Sequence, residues 1–247
     1  VQNPWYPVAE PSDAQASADI ADASRDLTAE LVKLVQAMQE IKAEEDSRVN
    51  SYEIFVNQKQ THIRNSRGVD VTFSGFDCEI EVVTNSRKDD HEIEIYKDLR
   101  FSDKSAEKII AEVRGMFHTG RQRLNAVPTR QNEHADVLLS GDTVGSFFQY
   151  FAMHTNAPYQ YMGVAKAKIG ETITGADADP LNIRLVPTLD GSAKNAPYDE
   201  TGMPVAERVL FENGICRSYW GSLQHAHYIG MKNTTSMNNM VVEGGSK

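Results

Sequence analysis

In the first half of the chain, apolar residues recur first at the spacing of a helix and then at the spacing of a strand. Over residues 24–46 the apolar positions recur at steps of three and four, which is the period of one helical face. Alternation of apolar and polar residues then predicts strands, since successive side chains of a strand point to opposite faces. The five alternating segments are 52–58, 62–66, 69–73, 77–83 and 91–101. Short connections between them favour an antiparallel meander with one face in solvent.

Turn and cap signals divide this pattern into elements. Residues 65–68, 74–75 and 84–86 carry the Asn, Ser and Gly chemistry of turns. Ser105 is placed to cap a second helix that runs to about Leu124. A capping box, Ser12 with Gln15, precedes the first helix. Residues 1–130 are therefore predicted to be one unit, with two helices on one side of a sheet.

The second half mixes shorter elements. After a linker at 125–134 we predict a strand at 135–140, a helix at 142–155 and one or two helical turns at 223–228. Further strands are predicted at 161–169, 181–186, 205–211 and 215–220. Asn213-Gly214 predicts a type I′ hairpin, because both residues of that turn need positive φ.

Together these elements predict an α+β fold with an antiparallel meander sheet covered by helices. A second, mixed β-rich unit is predicted at 131–247, and its first residues are the last residues of the predicted linker. Because the chain begins at Val1 and stops soon after a strand-like run, we expect it to be part of a longer protein.

Composition narrows the class of partners. The formal net charge of −10 argues against binding to duplex DNA, whose affinity comes mostly from Lys and Arg on phosphates. No apolar run approaches the roughly 20 residues that a membrane helix needs. Cys78 and Cys216 are too few for a disulfide framework and lack the spacing of a metal site. We expect a cytoplasmic protein with two reduced thiols and neither a nucleic-acid nor a membrane partner.

Several motifs resemble, in order, those of the TldD/PmbA family, the modulators of DNA gyrase. Its bacterial and archaeal members are metalloproteases or their partners. The matching segments are Pro-Trp-Tyr-Pro at 4–7, Asn-Ser-Arg-Gly at 65–68, Leu-Leu-Ser then Asp-Thr-Val-Gly at 138–145, the tract at 161–171, the turn and hairpin at 196–216, and the Thr/Asn-rich tract ending in Val-Val-Glu at 234–243.

The resemblance directs attention to the helix at 142–155. In protease members the corresponding helix carries His-Glu-x-x-x-His, with two zinc ligands and a glutamate that acts as general base. The three positions are Gln149, Tyr150 and His154 in this chain. Gln is a poor zinc ligand, and Tyr, with a pKa near 10, cannot replace a carboxylate as base at neutral pH. A further family ligand, a cysteine, lies downstream of this chain, and Cys216 is not in its place.

The resemblance therefore implies a TldE/PmbA-like, non-catalytic subunit of a cytoplasmic zinc metalloprotease. Zinc would be held by a TldD-like paralogue, no metal or other cofactor is expected in this chain, and the substrate would be a peptide. The partner is either that paralogue or a second copy in a dimer. The implied substrate-binding residues are Phe148, Phe151 and His154.

Two alternatives stay open. A divergent metalloprotease would use His154 with other ligands, and the weak candidates are His225 and His227, which would face the same side if they lay on a strand. A regulator of DNA topology is suggested only by the family's name, and the acidic charge weighs against it.

Overall fold

The computed structural model describes residues 5–12, 25–132, 134–175, 178–231 and 238–244. Gln15 of the predicted capping box and residues 234–237 of the Thr/Asn-rich tract lie outside these ranges. The helices are α1 Leu27–Gln39, α2 Ala106–Leu124, α3 Asp142–His154, α4 Ala157–Tyr161 and α5 Leu223–Tyr228. The strands are β1 Ser47–Arg64, β2 Asp70–Lys88, β3 His91–Phe101, β4 Ile183–Val186, β5 Arg208–Glu212, β6 Ile215–Cys216 and β7 Asn239–Val242.

The first sheet is the predicted antiparallel meander, with strand order β1-β2-β3. Its strands are longer than predicted, because the four segments between 52 and 83 form two continuous strands. The turn predicted at 74–75 is wrong, since Gly75 pairs with Lys59 in the middle of the ladder. The turn predicted at 84–86 is also wrong, since those residues pair with β1 and β3. Cross-strand hydrogen bonding outweighs the local preference of Gly, Ser and Asn for turns.

The predicted turn at 65–68 is confirmed, and it lies at the tip of the β1–β2 hairpin. Asn65 Oδ1 accepts hydrogen bonds from the amides of Arg67 and Val69, at 2.9 and 3.2 Å. Gly68 has a φ of 98°, a conformation that residues with a Cβ rarely adopt. The side chain of Asn65 also donates to the carbonyl of Ala9 at 2.8 Å, which holds the N-terminal segment against the tip.

Helices α1 and α2 cover one face of this sheet, as predicted. Asp26 caps α1 through the amides of Thr28 and Ala29, and Ser105 caps α2 through the amide of Lys108. Helix α1 ends earlier than predicted, because the chain must turn before β1, where Glu44 and Ser47 exchange backbone hydrogen bonds. The buried core of this part comprises Leu34, Met38, Phe76, Cys78, Ile80, Val82, Leu99, Phe101, Ile109, Val113, Met116 and Phe117.

The second sheet has the order β6-β5-β4-β7, and every pairing in it is antiparallel. The predicted type I′ hairpin is confirmed, with positive φ at Asn213 (49°) and Gly214 (78°). Its strands β5 and β6 are shorter than predicted. The buried core comprises Ala152, Ala167, Leu181, Ile183, Leu185, Leu210, Phe211, Cys216 and Trp220.

Two predicted strands are wrong. Residues 135–140 pair with no strand in the part of the chain described, and Leu138 is 94% exposed. Residues 161–169 begin in the last turn of α4 and continue as an irregular loop. The missed signal is Asn156 at the N-cap with Pro158 in the first turn, a combination typical of helix starts.

The turn at 199–202 packs on the tip of the β1–β2 hairpin. Asp199 Oδ1 accepts hydrogen bonds from the amides of Thr201 and Met203 and from the Thr201 hydroxyl. Gly202 has a φ of 81°, as the turn chemistry requires, and the space at its Cα borders Val69. Desolvation by burial raises the pKa of Asp199 against the effect of these hydrogen bonds.

Within the described residues, none of the helices combines the length and the apolar character needed to cross a membrane.

Both cysteines are buried thiols, and we expect them to react slowly in the folded protein. Burial raises the pKa of Cys78 and of Cys216 to about 11. At pH 8 about one thiol in a thousand is then the reactive thiolate. Native protein mixed with a chromogenic disulfide reagent should show slow labelling, and two fast thiols per chain should appear in denaturant. Rapid stoichiometric labelling of the native protein would contradict this burial.

Candidate functional site

Helix α3 presents an unusually apolar surface to solvent. Ala152 is its one fully buried residue, and Phe148, Phe151 and Met153 pack partly buried against the second core. On the exposed side Phe147 and Tyr150 are 50% and 44% accessible. The ring of Phe147 contacts those of Phe148 and Phe151 at centroid distances of 5.2 and 5.8 Å. The helix therefore offers an aromatic wall.

The C-terminal end of α3 is fixed by Trp220. The indole Nε1 of Trp220 donates to the carbonyl of Ala152 at 2.7 Å, inside the protein. The backbone amide of Trp220 donates to the carbonyl of Thr155, and the amide of Ala157 donates to the carbonyl of Trp220. These bonds hold the junction between α3 and α4, and hence the position of His154.

The three motif positions lie on two sides of this helix. Gln149 lines a cleft of about 500 Å³ between α3 and the loop that contains Ser192 and Lys194. Tyr150 and His154 lie together, with ring centroids 4.4 Å apart in an edge-to-face arrangement. The structure thus joins Tyr150 to His154 but places Gln149 toward a separate cleft.

Lys166, which sequence reasoning missed, completes the cluster. Its ammonium donates to Tyr150 Oη at 2.9 Å and lies 5.4 Å from the centre of the Tyr150 ring. Its backbone amide donates to His154 Nδ1 at 3.2 Å. Because Nδ1 accepts this bond, the neutral imidazole carries its hydrogen on Nε2.

The loop that carries Lys166 is held by two polar side chains. The Gln160 amide donates to the carbonyls of His154 and Ala167, at 3.0 and 2.9 Å. The Tyr219 hydroxyl accepts from the amide of Ile169 and bonds to the carbonyl of Ala167. This arrangement was not predicted, because a strand at 161–169 gives no reason to expect contact between Lys166 and α3.

This cluster does not fit a zinc ion. Gln149 offers a neutral carbonyl oxygen, and the only free nitrogen lone pair of His154 already accepts the Lys166 amide. The Lys166 ammonium beside Tyr150 would also repel a second cation. Burial, and then the Lys166 charge, lower the pKa of His154, so the imidazole is neutral near pH 7. In the described part of the chain, no three His, Cys, Asp or Glu side chains are grouped to hold a metal.

His225 and His227 do not form the pair that a strand would give. They lie on helix α5, where residues two apart point to nearly opposite sides, so the strand premise is wrong. His225 Nδ1 shares a hydrogen bond with Ser222 Oγ at 3.0 Å, and His227 contacts the ring of Trp5. Each histidine is engaged locally.

The predicted substrate-binding residues are placed unequally. Phe148 and Phe151 turn partly into the second core, and Phe151 contacts the buried ring of Phe211 at 6.3 Å. His154 is part of the Tyr150–Lys166 cluster. Phe147, which lies outside this predicted set, is more exposed than Phe148 and Phe151. Contact of Phe148, Phe151 and His154 with a substrate stays a prediction.

Comparison with known proteins finds a family match for part of the chain. Residues 132–247 match the family described as the PmbA/TldA metallopeptidase C-terminal domain. No curated protein sequence matches the chain. The fold is similar to the crystal structure of TldE from Thermococcus kodakarensis, with a TM-score of 0.73, 18% identity, and coverage of 98% of this chain and 58% of that one.

Two further crystal structures, each described as a proposed modulator of DNA gyrase, share the fold. The protein from Thermotoga maritima gives a TM-score of 0.65 at 16% identity, covering 100% of this chain and 59% of that one. The protein from Bacteroides thetaiotaomicron gives 0.61 at 14% identity, covering 96% and 55%. The chain thus spans less than two thirds of the length of these structures.

The match of residues 132–247, together with the shared fold, confirms the resemblance to the TldD/PmbA family that the motifs indicated. The chain's mixed helix-and-strand architecture with antiparallel sheets is that of TldE.

Proposed function

We propose that this chain is a TldE/PmbA-like, non-catalytic subunit of a cytoplasmic zinc metalloprotease that acts on peptides. The partner in this proposal is a TldD-like paralogue that holds the zinc. One observation carries the proposal: the His154 lone pair accepts the Lys166 amide, while an ammonium occupies the neighbourhood of the degenerate motif. This arrangement supports a helix that leaves the metal-activated water to the partner.

The role left to this chain is to bind and orient a peptide beside the partner's catalytic centre. Helix α3 supplies an exposed aromatic wall at Phe147 and Tyr150, which suits apolar side chains of an unfolded peptide. Hydrolysis itself would be carried out by the partner.

The direct test is reconstitution with the paralogue. The chain and a paralogue with an intact His-Glu-x-x-x-His helix are purified separately, analysed for metal by mass spectrometry, and assayed alone and mixed on an unfolded peptide. We expect zinc in the paralogue, little in this chain, and cleavage only by the mixture. Stoichiometric zinc in this chain, with cleavage by this chain alone, would instead establish the divergent metalloprotease.

Matched variants assign the chemistry to one subunit. Changing the motif glutamate of the paralogue to glutamine should abolish cleavage by the mixture, because that residue is the base. Gln149→Ala in this chain should leave turnover within about twofold, because Gln149 has neither a ligand's nor a base's role here. A loss of activity with Gln149→Ala as large as with the paralogue's variant would contradict the assignment.

A further inference from the structure

The Lys166 ammonium carries a positive charge with no anionic partner in the described part of the chain. Its contacts are the hydroxyl and the ring of Tyr150, and no carboxylate among the described residues pairs with it. Lys168, two residues on, instead pairs with Glu171 at 4.0 Å. An ammonium has three N–H donors, so Lys166 has donors left after its bond to Tyr150.

Tyr150 and His154 add two further donors to this cluster. The Tyr150 hydroxyl accepts from Lys166, and its own hydrogen makes no bond within the described residues. His154 keeps a hydrogen on Nε2, because Nδ1 accepts the Lys166 amide. The cluster therefore offers donors and positive charge but no acceptor of comparable strength. Such a set complements a carboxylate.

An apolar surface adjoins the cluster on the same helix. Phe147 lies three residues before Tyr150, one helical turn away, and half of its surface is exposed. A terminal carboxylate is separated from the last side chain of a peptide by a single carbon atom. A carboxylate held by Lys166 and Tyr150 would therefore bring that last side chain within reach of Phe147.

We propose that Lys166 and Tyr150 bind the C-terminal carboxylate of a peptide, with Phe147 contacting its last side chain. The inference rests on the proposed function for its ligand class, a peptide. It adds that the subunit recognises the free end of that peptide, by charge-assisted hydrogen bonds at the place where protease relatives carry their motif.

The test compares three fluorescein-labelled pentapeptides by anisotropy with the 247-residue chain. All are labelled at the N-terminus and end in phenylalanine: one as the free acid, one as the amide, and one as the amide with an internal glutamate. We expect the free acid to bind at least about tenfold more tightly than either amide, which corresponds to about 1.4 kcal/mol. Equal affinity for acid and amide, or no binding, would overturn the proposal. Equal binding of the glutamate amide would overturn the assignment to the chain terminus.

Variants test which residues produce the preference for the free-acid peptide over the amide. Lys166→Met keeps the aliphatic stem on Tyr150 but removes the charge, so the acid and the simple amide should bind within about twofold of each other. Tyr150→Phe should reduce the preference by about fivefold, because one hydrogen bond to a charged group is lost. Lys168→Met makes the same change of net charge two residues away and should retain the full preference.

These outcomes separate the two proposals. If Lys168→Met abolishes the preference as completely as Lys166→Met, the effect is general electrostatics and the site is refuted. If the mixture with the paralogue cleaves nothing, while the preference for the acid depends on Lys166, the proposed function fails and the carboxylate site stands.

Discussion

Replacing Trp220 by alanine is expected to lower the free energy of unfolding by about 3–5 kcal/mol, the usual cost of truncating a buried aromatic residue. Trp220 belongs to the second core, and its indole and backbone hold the end of α3. The variant should therefore also lose the acid-over-amide preference, because the relation of His154 and Tyr150 to the Lys166 loop depends on that junction. Urea denaturation followed by far-UV circular dichroism measures the free energy of unfolding, and peptide anisotropy measures the acid-over-amide preference.

Trp220→Phe separates the packing of Trp220 from its hydrogen bond. The ring bulk is largely kept, and only the bond from Nε1 to the carbonyl of Ala152 is lost. That carbonyl still accepts from the amide and the hydroxyl of Thr155. The expected cost is therefore about 1 kcal/mol. Equal losses in the alanine and phenylalanine variants would show that the hydrogen bond, and not packing, dominates.

Gly202→Ala is expected to destabilise the protein by about 2–4 kcal/mol, the combined cost of a left-handed residue with a Cβ and of overpacking. Gly202 has a φ of 81°. A Cβ there would lie 2.5 Å from Val69 Cγ1 and 3.3 Å from Val71 Cγ2, on the tip of the β1–β2 hairpin. The substitution therefore strains both the turn and its contact with the hairpin.

Gly163→Ala is the matched control for this prediction. Gly163 has a similar φ of 70°, but among the described residues nothing beyond its chain neighbours lies within 4 Å of the position of a Cβ. Its alanine variant should cost only the backbone strain, about 1–2 kcal/mol. Urea denaturation of both variants then isolates the steric contribution as their difference. The absence of a difference would mean that the turn at 199–202 does not pack closely on the hairpin in solution.

Elements with strong local signals could be predicted from the sequence. Helix α2 begins after its Ser105 cap and ends at Leu124, and the Asn213-Gly214 turn has the expected backbone. The wrong predictions concern segments whose structure is decided by pairing with residues distant in sequence. Gly75 resembles a turn residue, but it sits in a ladder whose partner lies on β1. Residues 135–140 have strand character without a strand to pair with in the described structure.

The candidate site could be predicted only in part, for a related reason. The positions of Tyr150 and His154 on one helix follow from their spacing and the helical period. The contact of Lys166 with these two residues does not follow from the spacing, because it depends on the path of a loop. Gln160 and Tyr219 fix that path, and Tyr219 is 50 residues away from Ile169, whose amide it binds. No local pattern encodes such a path.

The hydrogen bond that engages His154 comes from the main chain, and this limits what substitutions in the helix can change. The amide of Lys166 is present whatever side chain stands at that position, with proline as the single exception. Substitutions at 149 and 150 can supply an imidazole and a carboxylate, but they leave Nδ1 of His154 engaged. A metal-binding helix at this place would therefore require the neighbouring loop to be rebuilt, because point changes in the helix alone leave that imidazole without a free lone pair.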